Sequence, residues 1–261
     1  MTTLLEVHGL TKRFGGLQAV GALDLRVAAG EIVGLIGPNG AGKTTVFHLI
    51  AGFHAPTAGA IRFKGASVVG LKPHAICRRG LARTFQIVQP FAALSTLDNV
   101  MVGALNRAGD VAAARRSALE IVEFVGLGAK SRLPARSLTL SDRKRLEMAR
   151  GLATGPELLL LDEVMSGLNP TEIDEIIGLI RRVHARGVSL LIIEHVMQAI
   201  MALSDRLVVL HHGEKLAEGA PAEVARDRRV IEAYLGEEGE PRDAAGRGPR
   251  GPGRAIREEE A

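Results

Sequence analysis

The sequence GPNGAGKT, residues 37–44, decides the fold of this chain. It matches the pattern GxxxxGK[ST] and lies between an apolar run typical of a buried strand, residues 31–36, and a helical pattern that starts at Lys43. There the glycines let backbone N–H groups converge on phosphate oxygens, and the helix N-terminus adds positive potential. A plain glycine-rich turn would not require Lys43 and Thr44 at the helix start. The stretch predicts a nucleotide-phosphate site made of Gly37, Pro38, Asn39, Gly40, Ala41, Gly42, Lys43, Thr44 and Thr45.

A second apolar run ends in two carboxylates. Residues 158–161 are all leucine, and Asp162 and Glu163 follow directly. The carboxyl end of such a strand should lie beside the phosphate loop, where Asp162 suits Mg²⁺ together with the Thr44 hydroxyl. Glu163 is then placed to polarise a water molecule for attack on the γ-phosphate of ATP. The alternative is that the Asp162-Glu163 pair merely begins a helix. The presence of Lys43 and Thr44 in the same sequence favours the nucleotide site over this alternative.

The remaining pattern predicts an α/β protein with a helical insertion. Residues 96–153 have helical periodicity and interrupt the alternation of strands and helices, most clearly at residues 111–125 and 142–153. Short apolar runs flanked by helical segments are typical of parallel strands buried on both faces. Strand patterns occur at residues 4–7, 23–27, 59–63, 81–85, 158–161 and 188–193, and a closing hairpin at residues 206–210 and 215–218.

Composition excludes several classes of protein. The 261 residues are 46% apolar, and 33 basic and 29 acidic residues leave a net charge of +4, as expected for a solvated surface of mixed charge. Aromatic residues make up 3% of the chain, too few for base-stacking surfaces, so we expect no nucleic-acid partner. Cys77 is the single cysteine, which excludes an internal disulfide and fits a reducing cytoplasm.

The sequence shows no pattern of an export signal or a membrane anchor. The first thirty residues have no continuous apolar core of the kind a signal peptide needs. The most apolar runs are far shorter than the roughly 20 residues that span a bilayer, so we expect any membrane association to come through a partner. Residues 237–261 are dense in Gly, Pro and charge without an apolar period, which predicts a disordered tail.

The order of the motifs resembles that of the ABC ATPase family over residues 4–236. The carboxylate pair is followed by Ser166-Gly-Leu-Asn169, which corresponds to the loop that crosses the dimer interface, and then by Ile193-Glu-His195. The resemblance implies a P-loop NTPase core, an inserted helical subdomain at about residues 96–153 and an antiparallel β subdomain. It also implies a chain that binds and hydrolyses ATP with Mg²⁺, as one half of a dimer that sandwiches the nucleotide.

The resemblance also assigns roles to single residues. Gln86, in Arg83-Thr-Phe-Gln86, corresponds to the glutamine that senses the γ-phosphate and the metal, and His195 to the switch histidine that contacts the γ-phosphate. Phe14 corresponds to the aromatic residue that stacks on adenine. Taken alone, each residue has another interpretation. Gln86 also fits a loop residue, His195 a structural histidine and Phe14 a core residue. Their order and spacing favour the functional roles, which gives Thr44, Gln86 and Asp162 as metal ligands.

Several segments are similar to the cassettes of branched-chain amino acid importers, namely residues 83–86, 91–103, 167–170 and 230–236. The similarity implies a second ATPase subunit, two integral membrane permease subunits and, indirectly, a periplasmic solute-binding protein, with this chain at the cytoplasmic face of the membrane. Related cassettes serve urea, amides or other small solutes, so the solute stays open here. Two other classes of protein are alternatives. A soluble P-loop kinase would not need the dimer motifs at residues 138–142 and 166–169. A non-transport ABC ATPase usually carries a second cassette or a long coiled coil, and the sequence shows the pattern of neither.

One motif departs from the family. Where members carry Leu-Ser-Gly-Gly-Gln or Leu-Ser-Tyr-Gly-Gln, this chain has Leu138-Thr139-Leu140-Ser141-Asp142. In the family this motif grips the γ-phosphate of ATP held by the opposite subunit. Thr139 and Ser141 keep a hydroxyl and an N–H group for that role, but the Ser141 side chain and the Asp142 charge predict weaker binding. We therefore expect the partner ATPase to be a different chain with an intact motif. The alternative is that Ser141 only caps the following helix and that the backbone contacts survive.

Overall fold

The computed structural model describes residues 2–85 and 89–238, which form a layered α/β fold. Its strands are β1 (Thr3–Phe14), β2 (Leu17–Ala28), β3 (Ile32–Ile36), β4 (Ala58–Phe63), β5 (Ala66–Ser67), β6 (Leu81–Arg83), β7 (Leu158–Asp162), β8 (Ser189–Ile193), β9 (Arg206–His211) and β10 (Glu214–Gly219). Its α-helices are α1 (Lys43–Ile50), α2 (Pro73–Arg78), α3 (Thr96–Ala104), α4 (Val111–Phe124), α5 (Leu140–Ala153), α6 (Pro170–Ala185), α7 (Met197–Leu203), α8 (Pro221–Val224) and α9 (Arg228–Glu238).

A sheet in the order β10-β9-β3-β8-β7-β6 carries the nucleotide motifs. Its strands from β9 to β6 run parallel, and β10 pairs antiparallel with β9 as the predicted closing hairpin. Side chains of β7 alternate between two cores, because Leu158 and Leu160 pack on one face of the sheet and Leu159 and Leu161 on the other. The prediction of parallel strands buried on both faces is confirmed.

A second, antiparallel sheet in the order β2-β1-β4-β5 covers one side of the first. Leu5, Leu25 and Phe63 from its strands share a core with Phe47 of α1. The predicted strands at residues 4–7, 23–27 and 59–63 lie within β1, β2 and β4. The predicted fold class, a P-loop α/β core with an antiparallel β layer and a helical insertion, is confirmed.

The helical insertion packs on the other side of the parallel sheet. Helices α3, α4 and α5 contact one another, and Val100, Ala118 and Leu146 from these helices belong to the core that contains Leu159. The side chains of Ser95, Asp110 and Thr139 accept backbone N–H groups at the starts of α3, α4 and α5. Helix α5 therefore starts at Leu140, two residues before the helical pattern predicted its start.

Two boundaries differ from the sequence prediction. Strand β6 ends at Arg83 rather than at Phe85, because the Thr84 hydroxyl replaces a backbone group in accepting the N–H of Asp162, at 3.1 Å. Helix α9 reaches Glu238, so residues 237 and 238 are helical where a disordered tail was expected. The rest of that predicted tail, residues 239–261, lies outside the described residues. Within residues 2–85 and 89–238, no helix is both long and apolar enough to cross a bilayer.

Candidate active site

The phosphate loop joins the end of β3 to the start of α1 through glycines that no other residue replaces easily. Gly37, Gly40 and Gly42 have φ values of 146°, 76° and 100°, in the region that side chains disfavour. A Cβ atom on Gly37 would lie 2.1 Å from the Leu210 carbonyl oxygen, and one on Gly42 2.4 Å from that of Ala19. The loop is therefore held against both β9 and β2, with its backbone at the N-terminus of α1.

A cleft of about 600 Å³ opens beside this loop. Phe14 is 44% exposed at its edge, which excludes the core interpretation of this residue. Leu17, Gln18, Ala19 and His212 also line the cleft, although no motif in the sequence selects them. The predicted site residues that line it are Phe14, Asn39, Gly40, Ala41, Gly42, Lys43, Thr44, Thr45 and Glu163.

Lys43 places its ammonium group over the phosphate loop. Its Nζ donates to the carbonyl oxygens of Gly37 and Pro38 at 2.5 and 2.7 Å. Gly37 and Pro38 do not line the cleft, but their backbone carbonyls hold the Lys43 side chain in place, and Pro38 is buried. A cation held at this position, beside converging N–H groups, suits the charge of a triphosphate.

Asp162 ends β7 and is fully buried. Its Oδ2 accepts a hydrogen bond from Arg83 Nη2 at 2.7 Å, whereas its Oδ1 has no hydrogen-bond partner among the described residues. Burial raises the pKa of this carboxyl, and the hydrogen bond from Arg83 acts against that rise. A buried carboxylate oxygen without a donor is an acceptor suited to a divalent cation.

The donor set fits Mg²⁺ better than a metal held by the protein alone. In the part of the chain that the structure describes, no three His, Cys, Asp or Glu side chains come together as a metal cage. Mg²⁺ usually keeps one or two protein oxygens and takes the rest from phosphates and water. Of the predicted ligands, Thr44 lines the cleft, Asp162 is fully buried and does not line it, and Gln86 lies outside the described residues.

Glu163 follows Asp162 in a strained turn. Its φ is +48°, a left-handed conformation that costs a non-glycine residue of order 1–3 kcal/mol. Its N–H donates to the Ile193 carbonyl at 2.9 Å, and its own carbonyl accepts a hydrogen bond from Nζ of Lys144 at 2.8 Å. The turn presents Glu163 to the cleft beside the phosphate loop, rather than as the start of a helix.

Two buried ionisable residues lie next to this turn, and the sequence pattern does not reveal their burial. Lys144 of α5 and Glu194, which follows β8, are both almost fully buried. Glu194 Oε1 accepts the N–H of Met165 at 2.8 Å, and burial raises the pKa of Glu194 to about 7. Burial lowers the pKa of Lys144, against the attraction of nearby carboxylates, Glu194 foremost. A single charged residue inside a helical pattern does not reveal that its side chain is buried.

Of two histidines that follow strands of the parallel sheet, only His212 lines the cleft. His195 is exposed at the end of β8 and does not line the cleft. His212 occupies the turn between β9 and β10 with a φ of +48°, which agrees with the turn predicted there. The next residue, Gly213, donates to the Ala41 carbonyl at 3.1 Å, so the hairpin tip is fixed to the phosphate loop and brings His212 to the cleft.

The altered motif at the start of α5 lies away from this cleft. The Thr139 hydroxyl accepts the N–H of Asp142 at 3.2 Å, so Thr139 is the N-cap and the interpretation of Ser141 as the cap is wrong. Both Ser141 and Asp142 are buried. Lys130 Nζ donates to Asp142 Oδ2 at 2.6 Å. Burial opposes ionisation, yet the hydrogen bonds from Lys130 and Thr139 lower the pKa of this carboxyl below its usual value.

This geometry corrects one expectation from the sequence. Asp142 was expected to bring a negative charge toward a phosphate. The carboxylate is instead buried and paired with Lys130, so the positive end of α5 is largely preserved.

Comparison with known proteins agrees with the geometry. The family model described as ABC transporter matches residues 20–166, and the model of the branched-chain amino acid ATP-binding cassette transporter matches residues 214–240. The chain is 42% identical over 250 residues to the high-affinity branched-chain amino acid transport ATP-binding protein BraF of Pseudomonas aeruginosa, covering 90% of this chain and 98% of that one. It is 40% identical over 252 residues to LivG of Escherichia coli K12, a protein of the same description, with the same coverage.

A solved structure has the same fold. An ATP-binding cassette of an ABC transporter in its ADP conformation superposes with a TM-score of 0.83 at 27% sequence identity, covering 90% of this chain and all of that one.

A relative of lower sequence identity than BraF and LivG is the lipopolysaccharide export ATP-binding protein LptB of Acidithiobacillus ferridurans. It is 34% identical over 238 residues, covering 91% of this chain and 99% of that one.

Proposed function

The chain belongs to the ABC transporter family, and from this membership we propose that it is the ATP-hydrolysing cassette of an importer for branched-chain amino acids. The observation that carries the proposal is the cleft in which Phe14, Lys43 and Glu163 meet, in a chain 42% identical to a branched-chain amino acid cassette. The match of residues 214–240 to the branched-chain cassette model supports the same solute class. Identity to the lipopolysaccharide export protein is lower, at 34%.

ATP is held from two ends in this proposal. The backbone N–H groups of the phosphate loop and the ammonium of Lys43 bind the β- and γ-phosphates. Phe14 stacks on adenine, and its exposed position at the edge of the cleft supports that role. Thr45 and the loop residues Asn39 to Gly42 complete the wall of the phosphate end.

Hydrolysis depends on positioned charges. Mg²⁺, when bound, neutralises charge on the phosphate oxygens, and Thr44 and Asp162, with Gln86 as the third candidate, are the residues that hold it. Glu163 accepts a proton from the attacking water, for which its place in the cleft is suitable. His195 contacts the γ-phosphate as the switch residue once the site closes, since its exposed position after β8 leaves it accessible to a nucleotide.

The remaining partners follow from the role of a cassette. Two permease subunits would hold the chain at the cytoplasmic face of the membrane, as its similarity to transport ATP-binding proteins supports. A periplasmic solute-binding protein would deliver the amino acid to those permeases. A second ATPase subunit would complete the nucleotide sandwich through residues 166–169 and the start of α5.

The second ATPase subunit is a different chain in this proposal. Thr139 and Ser141 would meet the γ-phosphate of its ATP, and the buried Ser141 side chain leaves less room than glycine would. The pairing of Asp142 with Lys130 reduces, but does not remove, the difference between the two sites. In an assembled transporter, Glu163→Gln should therefore lower ATPase activity more than the equivalent change in the partner. Equal losses would contradict the asymmetry.

Copurification tests the assembly most simply. The tagged chain, extracted gently from the membranes of its own cells, should bring down two permease subunits and a second ATPase with a regular signature motif. As a matched control, a Lys43→Ala chain should copurify with the same subunits but not bind ATP. Isolation of the chain with soluble partners alone, or as a stable homodimer without permeases, would contradict the proposal.

A further inference from the structure

Helix α5 reaches from the altered motif to the hydrolytic turn. It begins at the Thr139 cap, and Lys144 lies just over one turn further on. The Lys144 ammonium crosses from the helical insertion to the parallel sheet, where it donates to the carbonyl of Glu163 at 2.8 Å. This hydrogen bond is made to the backbone of the residue whose side chain lines the cleft.

Glu194 holds the same turn from the other side. Its Oε1 accepts the N–H of Met165 at 2.8 Å, two residues after Glu163. Its Oε2 is buried without a hydrogen-bond partner among the described residues. Its place in the chain is directly after β8, one residue before His195. The turn from Glu163 to Met165 is thus tied to α5 through a cation and to the end of β8 through a carboxylate.

The conformation of the turn explains why such support is needed. Glu163 has a φ of +48°, which a non-glycine residue keeps only when its surroundings hold it there. A buried ammonium group and a buried carboxylate are unfavourable by themselves, and here they lie close enough to attract each other. Glu147, Asp162 and Glu163 are the other carboxylates that act on Lys144.

We propose that Lys144 and Glu194 are positioning residues that hold the strained turn of Glu163 in its hydrolytic geometry. The inference rests on the proposed role of Glu163 in hydrolysis. Neither side chain lines the cleft, so both act through the backbone of residues 163–165 rather than on the nucleotide. Because Lys144 belongs to α5, the helix proposed to meet the partner's ATP is also the helix that supports hydrolysis in this chain.

The kinetic constants of the assembled transporter test this proposal. Lys144→Met removes the donor, and it should lower kcat for ATP by about tenfold or more while KM stays within about twofold, since a small displacement of a catalytic group slows the chemical step. Lys144→Arg keeps a cationic donor and should return kcat to within about threefold of the unchanged protein. Arg145→Met is the matched control, because Arg145 is the next residue of α5 and pairs instead with Glu175.

The outcomes separate positioning from a general structural role. A Lys144→Met kcat within about twofold of the unchanged protein would overturn the proposal, as would an equal loss in Arg145→Met. If Lys144→Met does not fold, Glu194→Gln decides, because it keeps the shape of the side chain but removes the negative charge that attracts Lys144. It should lower kcat at least about threefold at unchanged KM, and an unchanged kcat would overturn the proposal.

Lys43→Ala, measured in parallel, separates this inference from the proposed function. If Lys43→Ala still binds and hydrolyses ATP normally, the proposed function itself is wrong. If it loses ATP binding while Lys144→Met and Glu194→Gln keep their full kcat, only the positioning role fails.

Discussion

Lys43 and Glu163 line the same cleft, and in the proposed function they serve different steps. Lys43 lies over the phosphate loop, where its charge is available to a triphosphate in the ground state. Glu163 lines the cleft directly after β7, and in the proposed function it acts on water and not on ATP binding. Loss of one should therefore abolish binding, and loss of the other should abolish turnover.

Titration with a fluorescent ATP analogue measures binding, and the rate of ATP hydrolysis measures turnover. Lys43→Ala should bind too weakly to detect, whereas Glu163→Gln should bind within about threefold of the unchanged chain and turn over roughly 10²-fold to 10³-fold more slowly. Glu157→Gln, at a half-exposed carboxylate away from the cleft, is the control. Normal turnover by Glu163→Gln would remove this residue from the mechanism.

Lys130 compensates the negative charge of Asp142 at the start of α5. Their contact of 2.6 Å neutralises a carboxylate that would otherwise weaken the positive end of the helix. Lys130→Met should weaken ATP binding at the partner's site of the assembled transporter severalfold, and Asp142→Asn in the same chain should restore most of it. Lys215→Met, which breaks an ion pair on β10, serves as the control. An ATP affinity of that site in Lys130→Met equal to that in the unchanged protein would show that this charge does not matter.

Between elements, the Arg83–Asp162 ion pair joins β6 to β7. The pair is buried, and the Arg83 guanidinium lies within 5.6 to 5.8 Å of the ring centroids of Phe47, Phe53 and Phe85. Removing one partner of a buried pair leaves an uncompensated charge, which costs about 3 kcal/mol or more. Strand β6 should therefore depend on this contact.

Urea denaturation of the purified chain measures the effect. Arg83→Met should lower the free energy of unfolding by about 3 kcal/mol, whereas Lys64→Met, which breaks the exposed pair with Glu157, should change it by less than about 1 kcal/mol. Arg83→Met with Asp162→Asn should recover part of the loss. Similar values for Arg83→Met and Lys64→Met would mean that the buried pair is no more important than a surface one.

Helix α1 carries a histidine that should make stability depend on pH. Burial, then the positive charge of Arg83 and then His54 lower the pKa of His48 from 6.5 to about 4. The folded state therefore binds fewer protons at His48 than the unfolded state between pH 6.5 and 4. Stability from this residue is fully present above pH 6.5 and is lost as the pH falls toward 4.

Melting temperatures at about pH 7 and about pH 5 test this dependence. The unchanged chain should lose more stability over this interval than His48→Gln does, because the variant has no group to protonate at that position. His74→Gln, at an exposed histidine on α2, controls for the removal of a histidine as such. Equal losses in the unchanged chain and His48→Gln would contradict the low pKa.

Across the whole molecule, the parts that could be predicted from the sequence are those with local signals. The phosphate loop combines glycines, a cation and a strand-to-helix change within a few residues, so its place and chemistry follow from pattern alone. The strands buried on both faces are recognisable as short apolar runs, as at residues 158–161. The α/β core and its helical insertion follow from such runs and their order.

The unpredicted features depend on residues that meet only in the fold. Lys130 neutralises Asp142 from outside α5, and Lys144 reaches a carbonyl 19 residues away. The left-handed turn of Glu163 has no glycine to reveal it. His212 was predicted to lie in a turn, but a hydrogen bond from the hairpin to the phosphate loop decides that it lines the cleft. Side-chain pairing over long separations carries no periodic signal in one sequence.

Coupling between ATP hydrolysis and solute uptake is the central claim at this scale. The cassette, its partner ATPase and the permeases, placed in liposomes with ATP on the cassette side and leucine-loaded binding protein on the other, allow both rates to be measured together. We predict leucine uptake that requires ATP hydrolysis and falls to background with Glu163→Gln, although that complex still binds ATP. Leucine uptake at the unchanged rate with Glu163→Gln, or ATP hydrolysis without any leucine uptake, would contradict the account.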